Sequence, residues 1–121
     1  VWVPRGRVLI VDDDDDVRMA TQDVMERRGY EVVAVSSGAE ALAYIAHDKP
    51  SMILLDLEMD DMNGFEVLSQ LQSDSRYRDV RIVVVTGSGA KLPPNVKMLR
   101  KPFKIDALIA LLEGEPSVRA S

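Results

Sequence analysis

Apolar residues along this chain fall into two kinds of stretch that take turns. Val8-Leu9-Ile10-Val11 is wholly apolar and rich in β-branched residues, and it stops at five consecutive aspartates, Asp12 to Asp16. Continuous apolarity, rather than strict alternation, predicts a strand buried on both faces, as in a parallel sheet covered by helices. The same pattern recurs at Val32 to Val35, Met52 to Leu55, Ile82 to Val85 and, more weakly, Val96 to Leu99. Five buried strands are therefore predicted.

Helical spacing fills most of the intervals. Val17, Ala20, Thr21, Val24 and Met25 mark a first helix that ends at Gly29, after Arg27 and Arg28, with glycine suited to the position just past a helix end. Ser37-Gly38-Ala39-Glu40 reads as a capping box opening a second helix through Ala41, Leu42 and Ile45, stopped near Pro50. Phe65, Leu68 and Leu71 space a third after Gly64, and Ile105, Leu108, Ile109 and Leu112 a last one ending at Gly114. Strands alternating with helices predict an α/β sandwich. One interval departs from this rhythm: Gly87 to Asn95 is nine residues with two prolines, and a parallel crossover with its own helix usually takes a dozen or more. The fourth helix is expected to be short or missing.

At 121 residues the chain suits one domain, with a tail over 1–6, the domain over 7–114, and a tail or start of a linker over 115–121. No apolar run approaches the ~20 residues needed to cross a bilayer, so no membrane span is expected. Cysteine is absent, which excludes disulfides and thiolate metal sites and fits a reducing cytoplasm. The formal charge of −5 argues against direct nucleic-acid binding, which needs clustered Lys and Arg. The first residues lack both a starting Met and the apolar core of a signal peptide, and the chain is expected to be a processed or excised piece.

Chemistry is expected at the strand ends. In open parallel sheets ligands bind outside the carboxyl ends of the strands. Here those ends carry Asp12 and Asp13 after the first strand, Asp56 after the third, Thr86 at the fourth, and Lys101 with Pro102 after the fifth. Three carboxylates gathered within a few ångströms repel one another unless a hard cation is shared among them, and Mg²⁺ is the expected ion. Mg²⁺ keeps open positions that favour a phosphoryl oxygen, and an ionised Asp can attack phosphorus to form an aspartyl phosphate. Lys101 and Thr86 are the candidate groups for the transferred oxygens.

These motifs together resemble the receiver domains of bacterial two-component response regulators. The resemblance is carried by Val8 to Asp13, by Ile53-Leu54-Leu55-Asp56-Leu57-Glu58-Met59 leading to Gly64-Phe65-Glu66, by Val84-Val85-Thr86-Gly87 and by Lys101-Pro102-Phe103. It covers roughly Arg7 to Glu113. It implies a three-layer, flavodoxin-like sandwich with a five-stranded parallel sheet in the order 2-1-3-4-5. It makes Asp56 the phosphoacceptor, Asp13 a direct ligand of Mg²⁺ (or Mn²⁺), Asp12 a contributor through water or a more distant contact, and Glu58 a ligand through its backbone carbonyl. Thr86 and Lys101 would each meet a phosphoryl oxygen, with small Gly87 leaving access beside Thr86. The Glu58 and Ser88 side chains would stand where the family tunes dephosphorylation, and the Lys101-Pro102 bond would be cis. The implied partner is a sensor histidine kinase or phosphotransfer protein in the cytoplasm; the oligomeric state is left open.

Several residues have plainer readings. Asp14, Asp15 and Asp16 are expected to cap the first helix as a solvated acidic turn. A calcium loop is disfavoured because Val17 stands where such a loop needs glycine. His47 suits a helix end, and Met52, Met59 and Met98 suit core or loop packing. Two departures from the family are Asp60, where proline is usual, and Met98, where the strand-five aromatic is usual. With the short fourth connection, Met98 motivates the alternative of a pseudo-receiver, an interaction module independent of phosphorylation. A haloacid-dehalogenase-like phosphatase would need Asp where Glu58 stands, and a flavodoxin would need a Ser/Thr/Gly-rich loop in place of the aspartates.

Overall fold

The computed structural model describes residues 5–59, 64–87, 91–93 and 96–111. Five strands, β1 (Arg7–Val11), β2 (Glu31–Val35), β3 (Met52–Asp56), β4 (Arg81–Thr86) and β5 (Lys97–Arg100), form one parallel sheet in the order β2-β1-β3-β4-β5. Helices α1 (Asp15–Arg27), α2 (Gly38–His47), α3 (Gly64–Ser73) and α4 (Ile105–Ile109) surround it, with a 3₁₀ turn at Ser75–Tyr77. No helix among the described residues is long and apolar enough to cross a membrane.

The uninterrupted apolar runs have a direct structural reason. Successive strand side chains point to opposite faces, and here both faces are covered. Leu9, Val11, Ile53, Leu55 and Val84 pack with Ala41 and Ile45 of α2 and Val67, Leu68 and Leu71 of α3. Val8, Ile10, Leu54, Val83 and Val85 pack on the other face with Met25 of α1 and Leu108 and Ile109 of α4. Each fully buried Leu or Val contributes roughly 1.5–3 kcal/mol, so the sheet is held by two apolar layers rather than one.

The helix boundaries reflect local chemistry. Asp14 caps α1, its side chain accepting from the amides of Asp16 and Val17. At the other end Gly29 takes φ +95°, which lets Gly29 N–H donate to the Glu26 carbonyl and Tyr30 N–H to the Met25 carbonyl. Ser37 caps α2 by accepting from the Glu40 amide. The Glu40 carboxylate turns back to the Ser36 amide and hydroxyl, one residue earlier than a strict capping box would place it. His47 is the last residue of α2.

Some expectations are corrected. β5 runs one residue later than the apolar pattern suggested, and Met98 is not packed: it is 42% exposed, because β5 is an edge strand in which only Leu99 is buried. Met52 and Met59 are in the core as expected. Phe65 is also exposed; Gly64, Val67, Leu68 and Leu71 are buried, and that i, i+3, i+4, i+7 face leaves Phe65 to one side. Among the described residues no helix lies between β4 and β5. The Lys101-Pro102 bond is cis. Readings attached to residues 1–4 of the N-terminal tail, Asp60, Ser88, Leu112, Gly114 and the C-terminal tail lie outside the described residues.

Candidate functional site

The sheet order places β1 and β3 side by side while their connections leave in different directions, and the carboxyl ends of neighbouring strands then form an open crevice. Backbone pairing continues just past the strands and fixes the residues that succeed them. The Asp12 amide donates to the Val35 carbonyl at 3.2 Å, Leu57 N–H to the Val85 carbonyl at 3.0 Å, and Lys101 N–H to the Thr86 carbonyl at 2.8 Å. Residues distant in the chain are thereby brought to one edge.

Asp12, Asp13 and Asp56 each offer a carboxylate oxygen, and the three lie within 4.8 Å of one another. Asp12 and Asp56 are buried and Asp13 is exposed, so the cluster has a closed floor and an open mouth. The Lys101 ammonium lies 3.1 Å from Asp56 Oδ2 and 3.8 Å from Asp12 Oδ2. Thr86 is wholly buried at the end of β4, one residue beyond the Asp56–Val85 pair in the register. The structure thus brings Asp12, Asp13, Asp56 and Lys101 together and puts Thr86 at the adjoining strand end. Glu58 comes next on the same loop, its amide donating to Asp56 Oδ1 at 2.9 Å.

This crowding sets the electrostatics. Burial raises the Asp12 carboxyl to about 6, helped by the neighbouring Asp56 charge and opposed by the Asp14 amide and Lys101. For Lys101, burial works against the charged form, but the hydrogen bond to Asp56 and the charges of Asp12, Asp56 and Asp13 outweigh it and raise its pKa. One ammonium therefore partly offsets three carboxylates. The donor set is all oxygen and over-rich in negative charge, and Asp12 takes up a proton more readily than an ordinary carboxyl. Such a set fits a hard divalent cation, which would offset the charge that the one ammonium leaves uncompensated.

Three contacts at the site were not read from the sequence. Arg18 donates from one guanidinium nitrogen to the Asp12 carbonyl at 2.9 Å and from another to Asp15, tying the first turn of α1 to the end of β1. Its spacing from Asp15 at i, i+3 was the available signal. Gly64 lies so close to the end of β3 that a Cβ there would fall 2.5 Å from Leu57 Cα and closer still to the Asp56 carbonyl oxygen. Glu58 Oε1 accepts from the Gly87 amide at 2.7 Å, a contact across 29 positions that no local pattern announces.

Fold and site together are those of a signalling receiver, and residues 8–113 match the family model described as a response regulator receiver domain. The chain belongs to that family and is a receiver domain of two-component signal transduction. It is 32% identical over 85 residues to the CAI-1 autoinducer sensor kinase/phosphatase CqsS of Vibrio cholerae, covering 69% of this chain and 12% of that protein. It is 27% identical over 109 residues to sporulation initiation phosphotransferase F of Bacillus subtilis, covering 84% of this chain and 86% of the relative. Among solved structures, chemotaxis response regulator CheY4 of Vibrio cholerae superposes with a TM-score of 0.82 at 28% identity, over 90% of this chain and 97% of that one.

Proposed function

We propose that this receiver takes a phosphoryl group onto a carboxylate oxygen of Asp56 from the phosphohistidine of a sensor histidine kinase or a phosphotransfer protein. The observation that carries the reading is the cluster itself: three carboxylates within 4.8 Å, with an ammonium 3.1 Å from the buried Asp56. The Asp56 oxygen attacks phosphorus, the donor's P–N bond breaks with its electron pair returning to the imidazole, and an acyl phosphate results. Attack of water at phosphorus later releases inorganic phosphate and restores the carboxylate.

The chain's own groups have distinct tasks in this scheme. The Glu58 amide holds one Asp56 oxygen in place, and Lys101, already paired with the other, is placed to follow charge onto a phosphoryl oxygen. The Thr86 hydroxyl would donate to another phosphoryl oxygen from the end of β4. Asp12, Asp13, Asp56 and the Glu58 carbonyl would hold Mg²⁺ (or Mn²⁺). When bound, that cation neutralises charge gathered on the transferring phosphoryl oxygens.

Incubation with acetyl phosphate and Mg²⁺ is expected to add one phosphoryl group to the intact protein by mass spectrometry, with none added to Asp56→Asn. An unmodified wild type would reject the reading. The alternative is a pseudo-receiver, favoured by the exposed Met98 on the edge strand and by the lack of a helix among the described residues between β4 and β5. That reading expects phosphorylation, if it occurs, to leave the backbone amide spectrum unchanged away from Asp56.

A further inference from the structure

We infer that Arg18 is a positioning residue for the cation site: its guanidinium holds the peptide from which Asp13 leaves the chain, and so aims that carboxylate at the ion. The inference rests on the reading of Asp12, Asp13 and Asp56 as a site for Mg²⁺ given above. Arg18 donates to the Asp12 carbonyl at 2.9 Å from one terminal nitrogen and to the Asp15 carboxylate from the other. The Asp12 carbonyl and the Asp13 amide belong to one planar peptide unit. Holding the oxygen therefore limits rotation of the unit that carries Asp13.

The surrounding bonds leave this role to the arginine. Asp12 is fixed on its amino side by its amide on the Val35 carbonyl at 3.2 Å, and its Oδ1 is committed to the Asp14 amide at 2.9 Å. Asp13 follows it and, unlike Asp12 and Asp56, is exposed, so packing does not direct its carboxylate as it does theirs. Helix α1 does not need Arg18 for its own start, because Asp14 already accepts from the Asp16 and Val17 amides. The plainer reading is a surface ion pair with Asp15, which is 76% exposed, and such pairs contribute little to stability. The Arg18 side chain itself is only 17% exposed, and its bond to Asp12 reaches back six positions to the end of β1. A rigid fork can serve both acceptors at once, whereas a lysine ammonium is a single point charge.

Charge and aim make opposite predictions for the loss of Arg18. A guanidinium close to the acidic cluster repels a dication, so removing its charge alone would tighten Mg²⁺ binding. Removing its aim weakens it. Mg²⁺ is titrated into wild type, Arg18→Met and Arg18→Lys by calorimetry, with the Asp12 carbonyl and Asp13 amide followed by ¹³C and ¹⁵N–¹H spectroscopy and folding checked by urea denaturation in EDTA. Arg18→Met is expected to bind about tenfold more weakly, the lower end of what outer contacts to metal ligands contribute. Arg18→Lys keeps the charge but loses the fork, and it is expected to lose a smaller part of the affinity. In both variants the two resonances shift before any metal is added.

The outcomes separate the two levels of inference. Unchanged or tighter binding by Arg18→Met, with normal binding by wild type, overturns the positioning role and leaves the arginine a charge effect at most. Wild-type affinity in Arg18→Lys overturns it too, because a single ammonium would then suffice, and so does an Asp13 amide that stays in place in both variants. Should Arg18→Met fail to fold, Arg18→Lys, which keeps the charge and a long side chain, decides the matter. If folded wild type binds no Mg²⁺ at millimolar concentration, the cation-site reading itself fails, and this inference goes with it.

Discussion

Asp12 shows how a single residue can be costly to the metal-free fold and useful to the site. Its carboxyl is raised to about 6, first by burial and then by Asp56, against an ordinary value of about 3.9 in the unfolded chain. Between those two values the folded protein holds a proton that the unfolded chain has lost. The stability of the metal-free protein attributable to Asp12 is therefore highest below about pH 4 and declines as pH rises to about 6. Asp12→Asn removes that penalty while keeping an oxygen for the Asp14 amide, which Asp12 Oδ1 now accepts. It is expected to raise metal-free stability at pH 7 by roughly 1–3 kcal/mol, measured by urea unfolding in EDTA, and to weaken Mg²⁺ binding. A variant less stable than wild type under those conditions would contradict the crowding described here.

At the scale of elements, the decisive contact is the one between the start of α3 and the end of β3. Gly64 N–H donates to the Leu57 carbonyl at 3.1 Å, and the atoms a Cβ would strike are backbone atoms of Asp56 and Leu57. No flexible side chain is there to yield. Gly64→Ala is expected to cost about 1–3 kcal/mol through overpacking and to displace Asp56, so that denaturation and beryllofluoride titration both register the change. A variant that kept wild-type stability and affinity would mean that the loop adjusts freely. Arg18 makes a complementary link on the other side, holding the carbonyl of Asp12 from α1. The acidic site is thus braced by helix starts on both sides of the sheet.

For the molecule as a whole, two apolar layers carry the sheet, and the acidic edge is built on top of them. A cation that binds only the folded edge stabilises the whole domain by mass action. Mg²⁺ at one hundred times its dissociation constant is expected to add about 2.7 kcal/mol, seen as a rise in the thermal midpoint that EDTA reverses and Asp13→Asn diminishes. Absence of any shift at millimolar Mg²⁺ would argue against the carboxylates as a cation site.

Much of this was legible in one dimension. Val8 to Val11, Met52 to Leu55 and Ile82 to Val85 announce buried strands because parallel strands covered on both faces have no reason to alternate. Asp12, Asp56, Thr86 and Lys101 stand out because each is a polar residue at or just past the end of such a run, where burial would otherwise exclude it. Helix caps at Asp14 and Ser37 are local hydrogen bonds, and local bonds leave local signatures. What only the tertiary structure decided are contacts between residues far apart in the chain: the Glu58 carboxylate on the Gly87 amide, the Gly64 backbone against Asp56, the exposure of Met98 on an edge strand, and the raised pKa of Asp12. These depend on distances and on water exclusion, which exist once the strands have been placed side by side and have no counterpart in the order of residues alone.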